Sequence, residues 1–112
     1  HIAMANTNQE VQRLLRIIQF GKANAIHAKN IAQMLGYPTD GNQVETRQLI
    51  RFAIQQGYVI ISTPNKGYWQ SNNKQEVESY INALVGRADQ IYDRSDEIKD
   101  AWNKANPHNN IP

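Results

Sequence analysis

The sequence predicts a mainly helical α+β fold: three short helices, a small β-hairpin and a long C-terminal helix. Three observations predict it. Apolar residues recur at helical spacing in three stretches, each followed by a glycine (Gly21, Gly36, Gly57). Two apolar runs, Tyr58 to Thr63 and Tyr68 to Gln70, flank the turn residues Pro64-Asn65-Lys66-Gly67. Beyond them Val77, Ile81, Leu84, Ala88, Ile91, Ser95, Ile98 and Trp102 are spaced alternately four and three apart, a heptad repeat.

Thr7-x-x-Glu10 is a capping-box pattern, and Val11, Leu14, Leu15 and Ile18 follow at helical spacing, so a first helix is expected from Asn8 to Gln19. Arg13 and Arg16 fall on its polar side, where a solvated face is the simplest expectation. Ala25-Ile26-His27 reads as a short strand or a turn into the next helix. The second helix covers Ala28 to Leu35, its stripe made of Ile31, Ala32 and Leu35, with Gly36 supplying a left-handed stop. Tyr37 to Asn42 is a loop by composition. Asn42 and Glu45 form a second capping pattern, which opens a third helix from Gln43 to Gln55. At about 100° per residue, Thr46, Leu49, Ile50 and Ala53 share one side of it, while Val44, Arg47, Gln48 and Arg51 share the other. Two arginines four apart among glutamines suit base edges and the phosphates between them.

The heptads predict a single helix from Lys74 to Lys104, about 45 Å long at 1.5 Å per residue. Such a helix outruns a small body, so its seam needs a second surface. One expectation is a homodimer through Val77, Ile81, Leu84, Ala88, Ile91, Ile98 and Trp102; the alternative is that the seam folds back on the Leu14-Ile18 face. The expected organisation is therefore a domain over residues 5–72, a helical dimerisation element over 73–105 and a frayed polar tail over 106–112.

Composition narrows the function. The hydrophobic share of 40% is that of a globular chain, and there is no cysteine to build a disulfide framework or a thiolate metal site. No run of about 18 apolar residues and no secretory leader is present, so a cytoplasmic protein is expected. Residues 11–74 hold eight Lys/Arg against only Asp40 and Glu45, whereas residues 75–112 hold seven Asp/Glu against four Lys/Arg. A basic body with an acidic appendage points to a polyanionic partner for the body. Enzyme chemistry finds no foothold. His1, His27 and His108 are scattered, and Asp89, Asp93, Glu97 and Asp100 fall opposite the heptad seam as a solvated face. No nucleophile motif or phosphate-binding glycine loop occurs. No catalytic residue, metal, cofactor or small-molecule ligand is expected.

Ile26-His27-Ala28-Lys29-Asn30-Ile31-Ala32-Gln33-Met34-Leu35-Gly36, then Arg47-Gln48-Leu49-Ile50, then Gly57 to Ser62 and Lys66-Gly67-Tyr68-Trp69 carry a family likeness. Residues 24–70 resemble the winged helix-turn-helix DNA-binding domains, especially the small ones of bacterial regulators and mobile-element proteins. Two departures stand out: His27 occupies the position where the family has a capping Ser or Thr, and the loop from Gly36 to Asn42 is longer than a minimal turn. The resemblance implies that the third helix enters the major groove, with Gln43, Arg47, Gln48 and Arg51 on bases or phosphates and Val44 on a thymine methyl. Asn42 and the helix N-terminus would hold a phosphate. Asn65 and Lys66 at the wing tip would reach the minor groove or backbone, and Lys29 would be a backbone contact. Of Tyr68 and Trp69, which alternate across the hairpin, one is expected to pack on the helices and the other to stay partly exposed.

The implied function is sequence-specific binding of double-stranded DNA by a transcriptional or mobile-element regulator, as a homodimer on an inverted repeat. The alternatives are a winged-helix module that docks a protein, or the DNA-targeting domain of a larger enzyme.

Overall fold

The structure is a computed structural model that describes residues 7–85 and 92–112. Helix α1 (Asn8–Ile17) starts at Thr7, whose Oγ1 accepts the Glu10 amide hydrogen at 3.2 Å. Glu10 does not close the box. Its carboxylate pairs with Arg13 at 2.7 Å and accepts the Tyr37 hydroxyl at 2.7 Å. Arg13 in turn donates from Nη2 to the Leu35 carbonyl at 2.9 Å, one of the carbonyls a helix end leaves without a partner. The expected solvated role of Arg13 is therefore corrected: it fastens α1 to the end of the second helix.

That helix, α2 (Ala28–Leu35), has the expected bounds, and Gly36 closes it at φ 80°. His27 sits at its N-cap and makes no side-chain capping bond. Helix α3 (Val44–Gln55) buries Thr46, Leu49, Ile50, Ala53 and Ile54. Its entry differs from expectation. Gln43, not Asn42, is the N-cap, at a left-handed φ of 52°, and no side chain caps the helix. The Gln43 amide instead donates to the carbonyls of Thr39 at 2.7 Å and Gly41 at 2.9 Å. A loop this long needs internal bonds to hold its shape, and Gln43 supplies two of them.

Strands β1 (Ile60–Thr63) and β2 (Gly67–Gln70) pair antiparallel, with Ile61 opposite Trp69 and Ser62 opposite Tyr68. The segment between α1 and α2 lines the other edge of β2. Ile26 and Tyr68 exchange backbone bonds at 3.0 and 2.7 Å, and Gln70 bonds Gln19 and Gly21 at 2.9 and 3.0 Å. Gly67 permits this closeness. It sits at φ 95°, and a Cβ there would collide with the Ile26 carbonyl and the His27 nitrogen. The buried Gln70 amide donates to the Ile18 carbonyl at 2.6 Å, which completes the end of α1.

The single long helix is corrected. Two helices, α4 (Lys74–Val85) and α5 (Tyr92–Ala105), stand in its place and pack against each other, α5 also against α3. A straight helix of about 45 Å would overshoot a molecule whose longest extent is 37 Å. Val77, Ile81 and Leu84 of α4, with Ser95, Ile98 and Trp102 of α5, are buried within the chain. The seam thus meets its own halves and the body rather than standing as an open stripe; Ala88 and Ile91 lie outside the described residues. Asn73 caps α4 through its Oδ1 to the Glu76 amide at 3.0 Å, and Glu76 accepts the Trp69 indole N–H at 3.1 Å.

The tail is also corrected, because it folds back instead of fraying. Asn103 bonds both the N–H and the carbonyl of Ile111, at 2.7 and 3.1 Å, and Trp102 donates to the Asn109 carbonyl at 2.7 Å. Ile111 is buried against the main core. An apolar side chain in a polar tail still gains from leaving water.

Candidate nucleic-acid interface

Helix α3 buries one side and leaves Val44, Arg47, Gln48 and Arg51 exposed, Val44 at 59%. The buried side is dictated by the apolar spacing, so the exposed side follows from the same periodicity. Asn65 and Lys66 are exposed in the β1–β2 turn, where the Lys66 amide donates to Thr63 Oγ1 at 3.1 Å. Lys29 is exposed at the start of α2, and Asn42 is exposed at the end of the loop. Eight of the nine residues singled out from the sequence are therefore exposed, and the ninth, Gln43, is half-buried and engaged with its loop.

The arginines do not simply project into solvent. Arg47 donates from Nε to the Asn42 carbonyl at 2.6 Å and from Nη1 to the Tyr68 hydroxyl at 3.1 Å. This second bond joins the exposed face of α3 to the hairpin. Arg51 donates from Nε and Nη2 to Glu97 Oε2 at 3.2 and 2.9 Å, and Gln55 donates to the same oxygen at 3.2 Å. Glu97 is expected from the sequence on the solvated face of a single long helix; it lies instead against the arginine face of α3, because α5 packs against that helix.

Between α3, the hairpin, α4 and α5 runs a groove of about 330 Å³. Its walls include Arg47, Arg51, Tyr68, Tyr80, Arg94 and Glu97. Tyr68 and Tyr80 are half-buried there, whereas Trp69 is in the core with 2% exposure. Burial pushes the Tyr80 phenol above its ordinary value, opposed by Ser62 and by the positive charge of Arg94. Tyr80, Arg94 and Glu97 were not legible as site residues. They come from segments whose heptad spacing speaks only of the seam, and nothing local announces that they meet Arg47 and Arg51.

Among the described residues, no group of three or more His, Cys, Asp or Glu is placed to hold a metal ion, and no helix is long and apolar enough to cross a membrane. Compared with known proteins, the chain matches no family model, no curated protein and no solved structure.

Proposed function

We propose that the chain is a winged helix-turn-helix domain that binds double-stranded DNA, with α3 as the reading helix and the β1–β2 hairpin as the wing. The bond from Arg47 to the Tyr68 hydroxyl carries this reading, since it ties the exposed arginine face of α3 to the hairpin. The order of elements supports it: α1, a strand-like segment at Ile26 paired with β2, then α2, α3 and the hairpin. Val44, Arg47, Gln48 and Arg51 would face base edges or phosphates. Lys29, Asn42, Asn65 and Lys66 would grip the backbone on either side. Gln43 would act chiefly by holding the loop that leads into α3. A regulator of transcription or of a mobile element is the role such a domain would serve.

The test is an anisotropy titration against labelled duplexes at low and moderate salt. Binding that weakens steeply with salt is expected, because bound phosphates release counterions. Arg47→Ala and Arg51→Ala should each reduce affinity, and Lys99→Ala, whose Nζ bonds the Pro112 carbonyl, should not. Absence of binding to any duplex at low salt rejects the reading.

A second reading has one observation in its favour. Arg51 and Gln55 already hold a carboxylate, that of Glu97, so an acidic protein segment would fit the same donors. It predicts capture of an acidic peptide with no salt-dependent retention of DNA.

A further inference from the structure

We propose that the groove between α3, the hairpin, α4 and α5 is a site for a nucleoside monophosphate unit, with Arg47 and Arg94 on the phosphate and Tyr68 and Tyr80 beside the ring system. The inference rests on the groove and its donors, and it assigns a function to the N-terminal turns of α5. The volume of about 330 Å³ exceeds what a bare phosphate needs and falls at the lower end of small-ligand clefts. Three guanidinium groups line it, those of Arg47 and Arg51 on α3 and of Arg94 on α5, and Glu97, the one carboxylate in its wall among the described residues, already has its Oε2 occupied by Arg51 and Gln55. Among the described residues the charges left open in the groove are therefore those of Arg47 and Arg94.

Arg47 donates to the Tyr68 hydroxyl, which leaves the phenolic hydrogen of Tyr68 to donate onward. Among the described residues Arg94 forms no ion pair. A phosphate accepts bidentate bonds from guanidinium and single bonds from hydroxyls. Val44, Ile54 and Ile60 also line the groove, apolar surface that a base or sugar would cover. Phenol rings give any base a stacking face. The same unit could arrive as a free nucleotide or within a strand, since the phosphate ester and the ring are common to both.

Titration of isotope-labelled protein with adenosine monophosphate, followed by NMR, tests the site, with adenosine and inorganic phosphate as parallel probes. Adenosine monophosphate should move the resonances of Tyr68, Tyr80 and Arg94, and adenosine should bind about tenfold more weakly or worse without its charged acceptor. Arg94→Gln should weaken the nucleotide about tenfold, and Tyr80→Phe should weaken it by less. Arg16→Ala, on the exposed side of α1, should leave it unchanged. No response to millimolar nucleotide, equal affinity for adenosine, or indifference to Arg94→Gln overturns the proposal. Duplex and single-stranded oligonucleotides then separate the sources. Weaker strand binding by Arg94→Gln supports a site used by a strand, and an effect confined to the mononucleotide supports one used by a free ligand. Nucleotide binding without any duplex binding rejects the DNA reading and leaves this site standing; duplex binding without nucleotide binding does the reverse.

Discussion

Arg51 of α3 and Glu97 of α5 meet at 2.9 Å, although 46 residues separate them in the chain. The pair places a carboxylate on the face proposed to meet DNA. The Arg51 side chain is 60% exposed, so the pair contributes at most about 1 kcal/mol to stability. Glu97→Ala should therefore change the urea midpoint little, while it frees Arg51 and removes a repulsive charge. Affinity for duplex DNA should rise severalfold at low salt and converge with that of the unaltered protein as salt increases. Anisotropy titrations of both proteins check this; weaker binding by the variant would contradict it.

Gly67 holds the hairpin against the segment before α2. At φ 95° a side chain is strained, and its Cβ would strike the Ile26 carbonyl. The Ile26–Tyr68 backbone bonds cannot survive that displacement unchanged. Gly67→Ala should cost more than about 2 kcal/mol in chemical denaturation. A loss within the error of the measurement would show that the two segments separate freely.

Thr46 is fully buried on α3, and its Oγ1 has no hydrogen-bond partner among the described residues. Thr46→Val keeps the branched shape, so the fit in the core is preserved, and removes a hydroxyl that lost its water on folding. The replacement should stabilise the protein by about 1 kcal/mol. A lower unfolding midpoint for the variant would mean that the hydroxyl is satisfied after all.

Alkaline pH should weaken the fold through Tyr37. Burial, reinforced by its hydrogen bond to Glu10, holds this phenol well above its ordinary value of 10.0, and burial raises Tyr80 as well. In the unfolded chain both ionise near their ordinary value, while the folded chain keeps its protons. Their contribution is thus complete below pH 10.0 and is lost as pH rises above it. The loss is at most about 1.4 kcal/mol per pH unit for the more buried Tyr80, and smaller for Tyr37, whose exposed part is screened by solvent. Urea midpoints measured across this range should fall, and Tyr37→Phe should flatten the decline; a slope unchanged by that replacement would refute the assignment.

Much of the architecture was legible because its signals are local. The bounds of α2, the buried side of α3 and the turn at Pro64 to Gly67 follow from apolar spacing and from glycine. The exposed set of Val44, Arg47, Gln48 and Arg51 followed from the same spacing, since whatever does not face the core must face outward. The entry to α3 was misread because Asn42 and Gln43 both offer polar side chains, and only the course of the loop determines which one meets the helix.

The sequence by itself determined which residues are apolar at which period, and so which face of each segment had to be covered. It did not determine what covers them. A heptad stripe from Val77 to Trp102 satisfies its need for burial equally in a partner chain or in its own fold, and spacing does not distinguish the two. Tertiary structure decided that α4 and α5 pack on each other and on the body, burying Ile98 and Trp102. That decision also brought Glu97 to Arg51 and Arg94 to the groove beside Arg47. Interactions between residues so far apart in the chain leave no periodic trace, because each depends on where a whole helix comes to rest.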